Sequence, residues 1–175
     1  HRHRYVQHRR NNQSYITLAT TGGGSDLRGP TYGEFDQVAL VSMTQDGPVI
    51  ANLDLDGIFP ADMLTTGDRK IIQALEKSIQ PVPVAHHGET FRRGEAVFAF
   101  RNPTARPVRL EVHPDPGLMM QATPALLQQE IPAGESQTFR IQLKPQTTTT
   151  YEKLASGRVR FRAETTTPEG DAMEI

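Results

Sequence analysis

The sequence of 175 residues contains no cysteine and no tryptophan. Without cysteine there are no disulfides and no thiolate metal sites, and the redox compartment leaves no trace in the chain. Aromatic residues make up only 6% and hydrophobic residues 36% of the chain. No apolar run approaches the roughly 20 residues that a membrane-spanning helix needs, and no signal peptide is visible. An excess of one charge is missing as well, since 19 Lys and Arg face 20 Asp and Glu for a net charge of −1. That balance argues against bulk attraction to nucleic acid or to anionic membrane. Neither a nucleic-acid partner nor a membrane span is expected. Asn12-Gln13-Ser14 fits the glycosylation triplet, a pattern that is common by chance.

What is present is β patterning. "SYITLAT" (14–20) is β-branched and aromatic and runs into "TGGGSDLRG". "DQVALVSMT" (36–44) and "GPVIANLDL" (47–55) are apolar runs joined through Gln45-Asp46-Gly47. An Asp-Gly between such runs signals a hairpin. The one clear helix lies in "TTGDRKIIQALEKSIQP", where Ile71, Ile72, Leu75 and Ile79 recur near the helical period. Thr66 or Asp68 is expected to cap its start and Pro81 to stop it. "PVPVAHHGE" then reads as an extended linker containing His86 and His87.

Beyond the linker, four segments alternate apolar and polar residues with period two. Ala96, Phe98 and Phe100 share a face, as do Val108, Leu110 and Val112. Phe139, Ile141 and Leu143 alternate with Arg140, Gln142 and Lys144; Val159, Phe161 and Ala163 alternate with Arg158, Arg160 and Arg162. "MMQATP" and "ALLQQEIP" add weaker strands, and turns are expected at Asn102-Pro103, Pro114 to Gly117, Pro132 to Gly134 and Pro168 to Gly170. His113 reads as a turn residue. Strands at this spacing predict a two-sheet antiparallel sandwich over 86–175. The arginine-rich face reads as a solvated sheet surface with Glu111 and Glu164 as cross-strand partners.

The chemistry-bearing candidates sit at the start. In "HRHRYVQHRR", His1 and His3 stand at i, i+2. On an extended segment they point the same way, roughly 6.5–7 Å apart at Cα, with Arg2 and Arg4 pointing off. Imidazole is the commonest protein metal ligand, yet two histidines do not complete a site. Gly22, Gly23 and Gly24 supply backbone freedom near a cleft rim and N–H groups for an anion. Arg28 is a candidate bidentate phosphate contact.

In order, the His-x-His, the aromatic Tyr5, the 15–20 strand, the Gly22-Gly23-Gly24 turn and "GEFDQVALVSMT…GPVIANL" resemble the C-terminal end of calcineurin-like metallophosphoesterases. The likeness covers about the first 60 residues, and the hairpin looks like the form typical of secreted or surface-associated bacterial members. It implies that His1 and His3 each contribute to one of two transition-metal ions (Fe, Mn, Zn or Co). These ions would activate water against a phosphoester substrate. The family's Asp-x-His, Gly-Asp-x-x-Asp and Gly-Asn-His-Glu/Asp motifs do not occur in the chain. The chain is therefore expected to be inactive alone, with exposed sheet edges and a poorly covered apolar face.

"FxFRNPTxRPVRLEV…IPAGESQTFRIQLKP" resembles the immunoglobulin-like sandwiches of bacterial extracellular proteins. The expected organisation is mainly β. It places terminal strands of a metallophosphoesterase α/β sandwich in 1–67, a helix and linker in 68–85, and an Ig-like accessory sandwich in 86–175. The alternative is a non-enzymatic extracellular Ig-like module that binds protein or glycan, or serves a structural role. Either reading implies a secreted, periplasmic or cell-surface location.

Overall fold

Paired asparagines explain the first element of the fold. Asn11 and Asn12 both adopt left-handed backbone (φ 50° and 58°), the conformation of the two-residue turns that match strand twist. They join β1 (Val6–Arg10) to β2 (Gln13–Thr17) in an antiparallel hairpin. This computed structural model describes residues 3–19, 24–83, 90–154, 157–167, 170 and 172–175. The chain divides into two compact units, His1–Ile72 and Gln73–Ile175.

In the first unit the expected hairpin is present as β3 (Val38–Thr44) and β4 (Gly47–Asp54). Gly47 takes φ 114°, and the Thr44 hydroxyl donates to the Gly47 carbonyl at 2.8 Å. A further strand, β5 (Gly57–Pro60), pairs with β4. The core of this unit gathers around Tyr5, which is fully buried and whose hydroxyl donates to the Ala61 carbonyl. Its ring lies 6.4 Å from that of Phe35, which meets Phe59 edge-on at 6.1 Å. The chain around Tyr5 is laced into the unit: Tyr5 N–H donates to Gly33 O at 2.7 Å and Gln7 N–H to Leu64 O at 2.9 Å.

One face of the β3–β4–β5 sheet is open. Val38, Leu40, Val49 and Ile58 are all at least half exposed, and β3 is hydrogen-bonded along one side only. No charge interrupts "VALVSMT", so the usual protection of an edge strand is missing. An uncovered apolar face of this kind is the expected liability.

The helix α1 spans Thr66–Ser78. Its cap is Thr65, one residue before the earlier of the two expected positions. The Thr65 hydroxyl oxygen accepts from Asp68 N–H at 3.2 Å, while the Asp68 carboxylate accepts from Thr65 N–H at 2.8 Å. This reciprocal arrangement is a capping box with Asp in place of Glu. The helix ends before Pro81. Ile79, expected on its apolar face, instead opens β6 (Ile79–Val82), an edge strand along the partner segment 97–100. Pro81 is tolerated there because an edge strand has one side that needs no donor. Part of the expected linker is therefore strand, and His86 and His87 lie outside the described residues.

The second unit continues with β7 (Thr90–Phe91), β8 (Gly94–Arg101), β9 (Val108–Asp115), β10 (Met120–Thr123), β11 (Leu127–Ile131), β12 (Ser136–Pro145), β13 (Thr149–Thr150), β14 (Arg158–Thr166) and β15 (Ala172–Glu174). Two four-stranded antiparallel sheets form, in the orders β10-β12-β8-β6 and β11-β9-β14-β15, with β7 and β13 paired separately. From β8 to β12, each successive strand crosses to the other sheet, so the long-range pairs are set by tertiary packing. Val108, Leu110, Val112 and Ile141 are fully buried, and Phe98 of one sheet meets Phe161 of the other edge-on at 5.3 Å. Pro168 and Glu169 of the last expected turn lie outside the described residues.

Asn102 fastens the turn after β8. It is fully buried, and its amide nitrogen donates to the carbonyls of Arg106, Ile131 and Pro132 at 2.8, 2.9 and 3.1 Å. Its carbonyl oxygen accepts from the backbone and hydroxyl of Thr104 at 2.9 and 2.8 Å.

On the outer side of the β9–β14 pair, Arg162 stands opposite Glu111, and Glu164 opposite Arg109. Glu111 is 7% exposed, packed beneath Gln128, His113 and Arg162. Its hydrogen bond from His113 leads the effects that hold its carboxyl below the ordinary range. One expectation changes. His113 belongs to β9, because Pro114 and Asp115 continue the strand. Arg140 belongs to the other sheet and pairs with Glu95 at 3.1 Å.

Candidate functional site

A polar cleft of about 560 Å3 lies in the first unit. Its walls come from separate stretches of chain. His3 and Arg4 come from the stretch before β1, Gly24, Ser25 and Asp26 from the glycine-rich loop, and Glu34 and Arg69 from the "GEFD" stretch and α1. An extended segment would turn His3 toward the site and Arg4 away from it. The backbone bends at Arg4 instead, so the alternation of a strand does not apply and both residues line the cleft.

Glu34 is the electrostatic centre. Its side chain is 3% exposed, and it receives Arg28 Nε and Nη2 at 2.8 Å each. Arg4 adds a second guanidinium at 3.1 Å. Hydrogen bonding from Arg28 is the largest effect on the Glu34 carboxyl. It outweighs burial and, with the charges of Arg28 and Arg4, holds the group below its ordinary value of 4.5. The Arg28 guanidinium also stacks 4.2 Å over the Tyr32 ring. Arg28, a candidate phosphate contact in the sequence, thus serves here to neutralise and orient Glu34.

The loop carrying Glu34 is closed by paired backbone bonds between Gly29 and Glu34, at 2.9 and 3.1 Å, around the 3-10 turn Pro30–Tyr32. Gly33 is required by its surroundings. Its φ is 68°, and a Cβ there would sit 2.3 Å from Tyr5 O and 2.7 Å from Leu64 Cδ2. Gly24 differs, since nothing lies within 4 Å of a Cβ built on it and its φ is not in the left-handed region. Among the described residues near the cleft, Leu27 (φ 49°), Gly29 (φ 102°) and Gly33 take left-handed backbone, and Gly24 of the expected glycine-rich turn does not. Gly22 and Gly23 lie outside the described residues, as does His1.

Of the residues singled out from sequence, His3 and Gly24 meet at this cleft. Sequence reasoning missed Arg4, Ser25, Asp26, Glu34 and Arg69 as lining residues. The sequence carried no local signal for Glu34, because an acid is ordinarily exposed and its burial here rests on pairing with Arg28 and Arg4. Nothing local marked Arg69. Among the described residues no group of three or more His, Asp or Glu side chains is placed to hold a metal ion. Among the described residues His3 is the one imidazole lining the cleft, and Glu34 is engaged by two arginines. The described donors do not fit a metal centre on their own, whereas guanidinium groups beside a hydroxyl suit an oxyanion.

No family matches. A scan against protein-family models and a search of curated proteins both return nothing for this chain. Among the described residues no helix is long and apolar enough to cross a membrane.

Proposed function

We propose that this chain is the closing part of a calcineurin-like metallophosphoesterase catalytic domain, followed by an immunoglobulin-like accessory sandwich. One observation carries the reading. His3 of the His-x-His and Gly24 of the glycine-rich turn, about twenty residues apart in sequence, border the same polar cleft. The open apolar face of the β3–β4–β5 sheet supports it, as the surface of a larger β structure would look when seen in part. In the parent, His1 and His3 would each serve one of two transition-metal ions, and those ions would supply the activated water. The other family motifs are not in these 175 residues, so this chain alone is inactive. The setting is a secreted or cell-surface bacterial protein.

The test is hydrolysis of a chromogenic phosphodiester with added manganese. The chain alone should give no turnover above buffer, and a longer polypeptide that carries the remaining motifs should be active. Replacing both His1 and His3 with Ala in that polypeptide should abolish its metal-dependent rate. Turnover by the chain alone, or full activity after the double replacement, refutes the reading.

A second reading takes the chain as a non-enzymatic extracellular module. It is favoured by the completeness of the 102–135 turn assembly, in which Asn102 satisfies every polar atom of its side chain. The nucleotide sequence upstream of the His1 codon discriminates the two. A frame encoding Asp-x-His and Gly-Asn-His-Glu supports the hydrolase, and a start codon directly before His1 supports the module.

A further inference from the structure

We propose that the β1–β2 hairpin is a docking arm for duplex DNA, entering the major groove turn first and pairing with backbone phosphates through Arg9 and Arg10. The arm lies outside the cleft, and the inference does not depend on the hydrolase reading. The base of the hairpin is fixed to the first unit. Val6 and Gln7 are buried, Gln7 N–H donates to Leu64 O at 2.9 Å, and Thr66 Oγ1 donates to Gln7 O at 3.2 Å. Beyond that base the hairpin stands free. Among the described residues β2 pairs with β1 alone, and every residue from His8 to Tyr15 is exposed. The net charge of −1 belongs to the whole chain and conceals this arm, since no Asp or Glu occurs before Asp26. Unlike Arg4, which pairs with Glu34, Arg9 and Arg10 carry no ion pair among the described residues.

The strand register sets the two arginines on opposite faces of the ribbon. Arg10 shares one face with its cross-strand partner Gln13 and with the His8–Tyr15 pair, while Arg9 stands on the other beside Ser14. Two strands about 4.8 Å apart make a ribbon that the major groove, about 12 Å wide, admits. Entering turn first, the ribbon presents one guanidinium to each phosphate wall, where paired, charge-assisted hydrogen bonds form. Asn11 and Asn12 at the turn then meet the base edges, which asparagine reads at adenine. Charge complementarity and composition together select this partner. From Arg9 to Ser14 there is no apolar side chain to insert into a lipid surface. Tyr15, a lone tyrosine on the arm, falls short of the successive aromatic platforms on which single strands stack.

The experiment is fluorescence anisotropy of a short labelled DNA duplex titrated with the whole chain, in chelator, at a series of chloride concentrations. Two phosphate contacts predict saturable binding whose affinity falls about twelvefold between about 50 and 200 mM salt. Arg9→Gln and Arg10→Gln each remove one contact. Each should weaken binding on the order of tenfold at the lowest salt and reduce the salt-dependent fall to about three- to fourfold. Both side chains are exposed, so the circular dichroism spectrum should be kept. Arg158→Gln, at an exposed arginine of β14 outside the arm, should change neither affinity nor salt dependence. No saturable binding, an unchanged salt dependence in the arm variants, or an equal loss in Arg158→Gln overturns the proposal. Tighter binding to the single strand than to its duplex, or to phosphatidylglycerol vesicles than to the duplex, overturns it as well.

Discussion

Replacing Asn102 by aspartate changes one atom group in the second unit and tests its most interlocked turn. The side chain keeps its shape and its acceptor toward Thr104. It loses the amide that donates to the carbonyls of Arg106, Ile131 and Pro132. An ionised carboxylate would aim a buried charge at those carbonyl oxygens, so the folded variant holds the new group protonated. Moving a carboxyl from a reference pKa near 3.9 to the neutral state at pH 7 costs about 4 kcal/mol, at about 1.36 kcal/mol per pH unit. A protonated acid has one donor for carbonyls that an amide served with two, and the lost bond costs about 1–2 kcal/mol more. The sum, about 5–6 kcal/mol, is comparable to the whole stability of many domains. The pH dependence carries the sign. The folded pKa of the introduced carboxyl is raised, so below its unfolded value of about 3.9 it carries no ionisation penalty. The penalty grows as pH rises from there toward the folded pKa. Scanning calorimetry of the whole chain at pH 7 and pH 4 should therefore show the deficit of Asn102→Asp shrinking on acidification relative to wild type. Asn102→Ala should lose about 3–5 kcal/mol with no such pH dependence. An Asn102→Asp variant within about 1 kcal/mol of wild type at pH 7, or with a deficit equal at both pH values, refutes the account.

Other outcomes follow from the first unit. Gly33→Ala should destabilise it by about 2–4 kcal/mol in urea titration, since a left-handed φ and a backbone clash coincide there, whereas Gly24→Ala should change stability by less than about 0.5 kcal/mol. Glu34→Gln should lower stability at pH 7 by about 1–2 kcal/mol, a figure reduced for the partial exposure of its arginine partners. Because the Glu34 carboxyl is held below 4.5, its contribution is complete above that pH and lost as pH falls through the folded value. The variant should accordingly show a flatter acid limb of stability. Leu40→Glu together with Ile58→Lys should reduce binding of a hydrophobic dye and slow aggregation while the circular dichroism spectrum is kept, because both side chains are exposed on this sheet.

The strands β9, β12 and β14 of the second unit are legible in the sequence because each keeps its apolar residues on alternate positions. Val108, Leu110 and Val112 read as an inward face and are fully buried. The hairpin at Gln45-Asp46-Gly47 is legible through its turn chemistry. Ile79 misleads because its spacing suits a helix as well as an edge strand, and only its pairing opposite Phe100 decides between them. His113 misleads because Pro114 suggests a turn, although a proline at the end of a strand is harmless where no donor is needed.

The cleft shows the same division. Local sequence determined that histidine, glycine and arginine cluster in the first 28 residues, and that alternating strands occupy the second half. It could not determine that Arg4 lines the cleft, because a single bend cancels the period of two. Nor could it pair Glu34 with Arg28 and Arg4, or bring Arg69 to the same cleft from the helix. Those contacts depend on Gly33 letting the Tyr5 backbone approach and on the Thr65–Asp68 box setting the start of the helix. Sequence periodicity reports which way neighbouring residues face, and only the tertiary structure reports which distant segments share a wall.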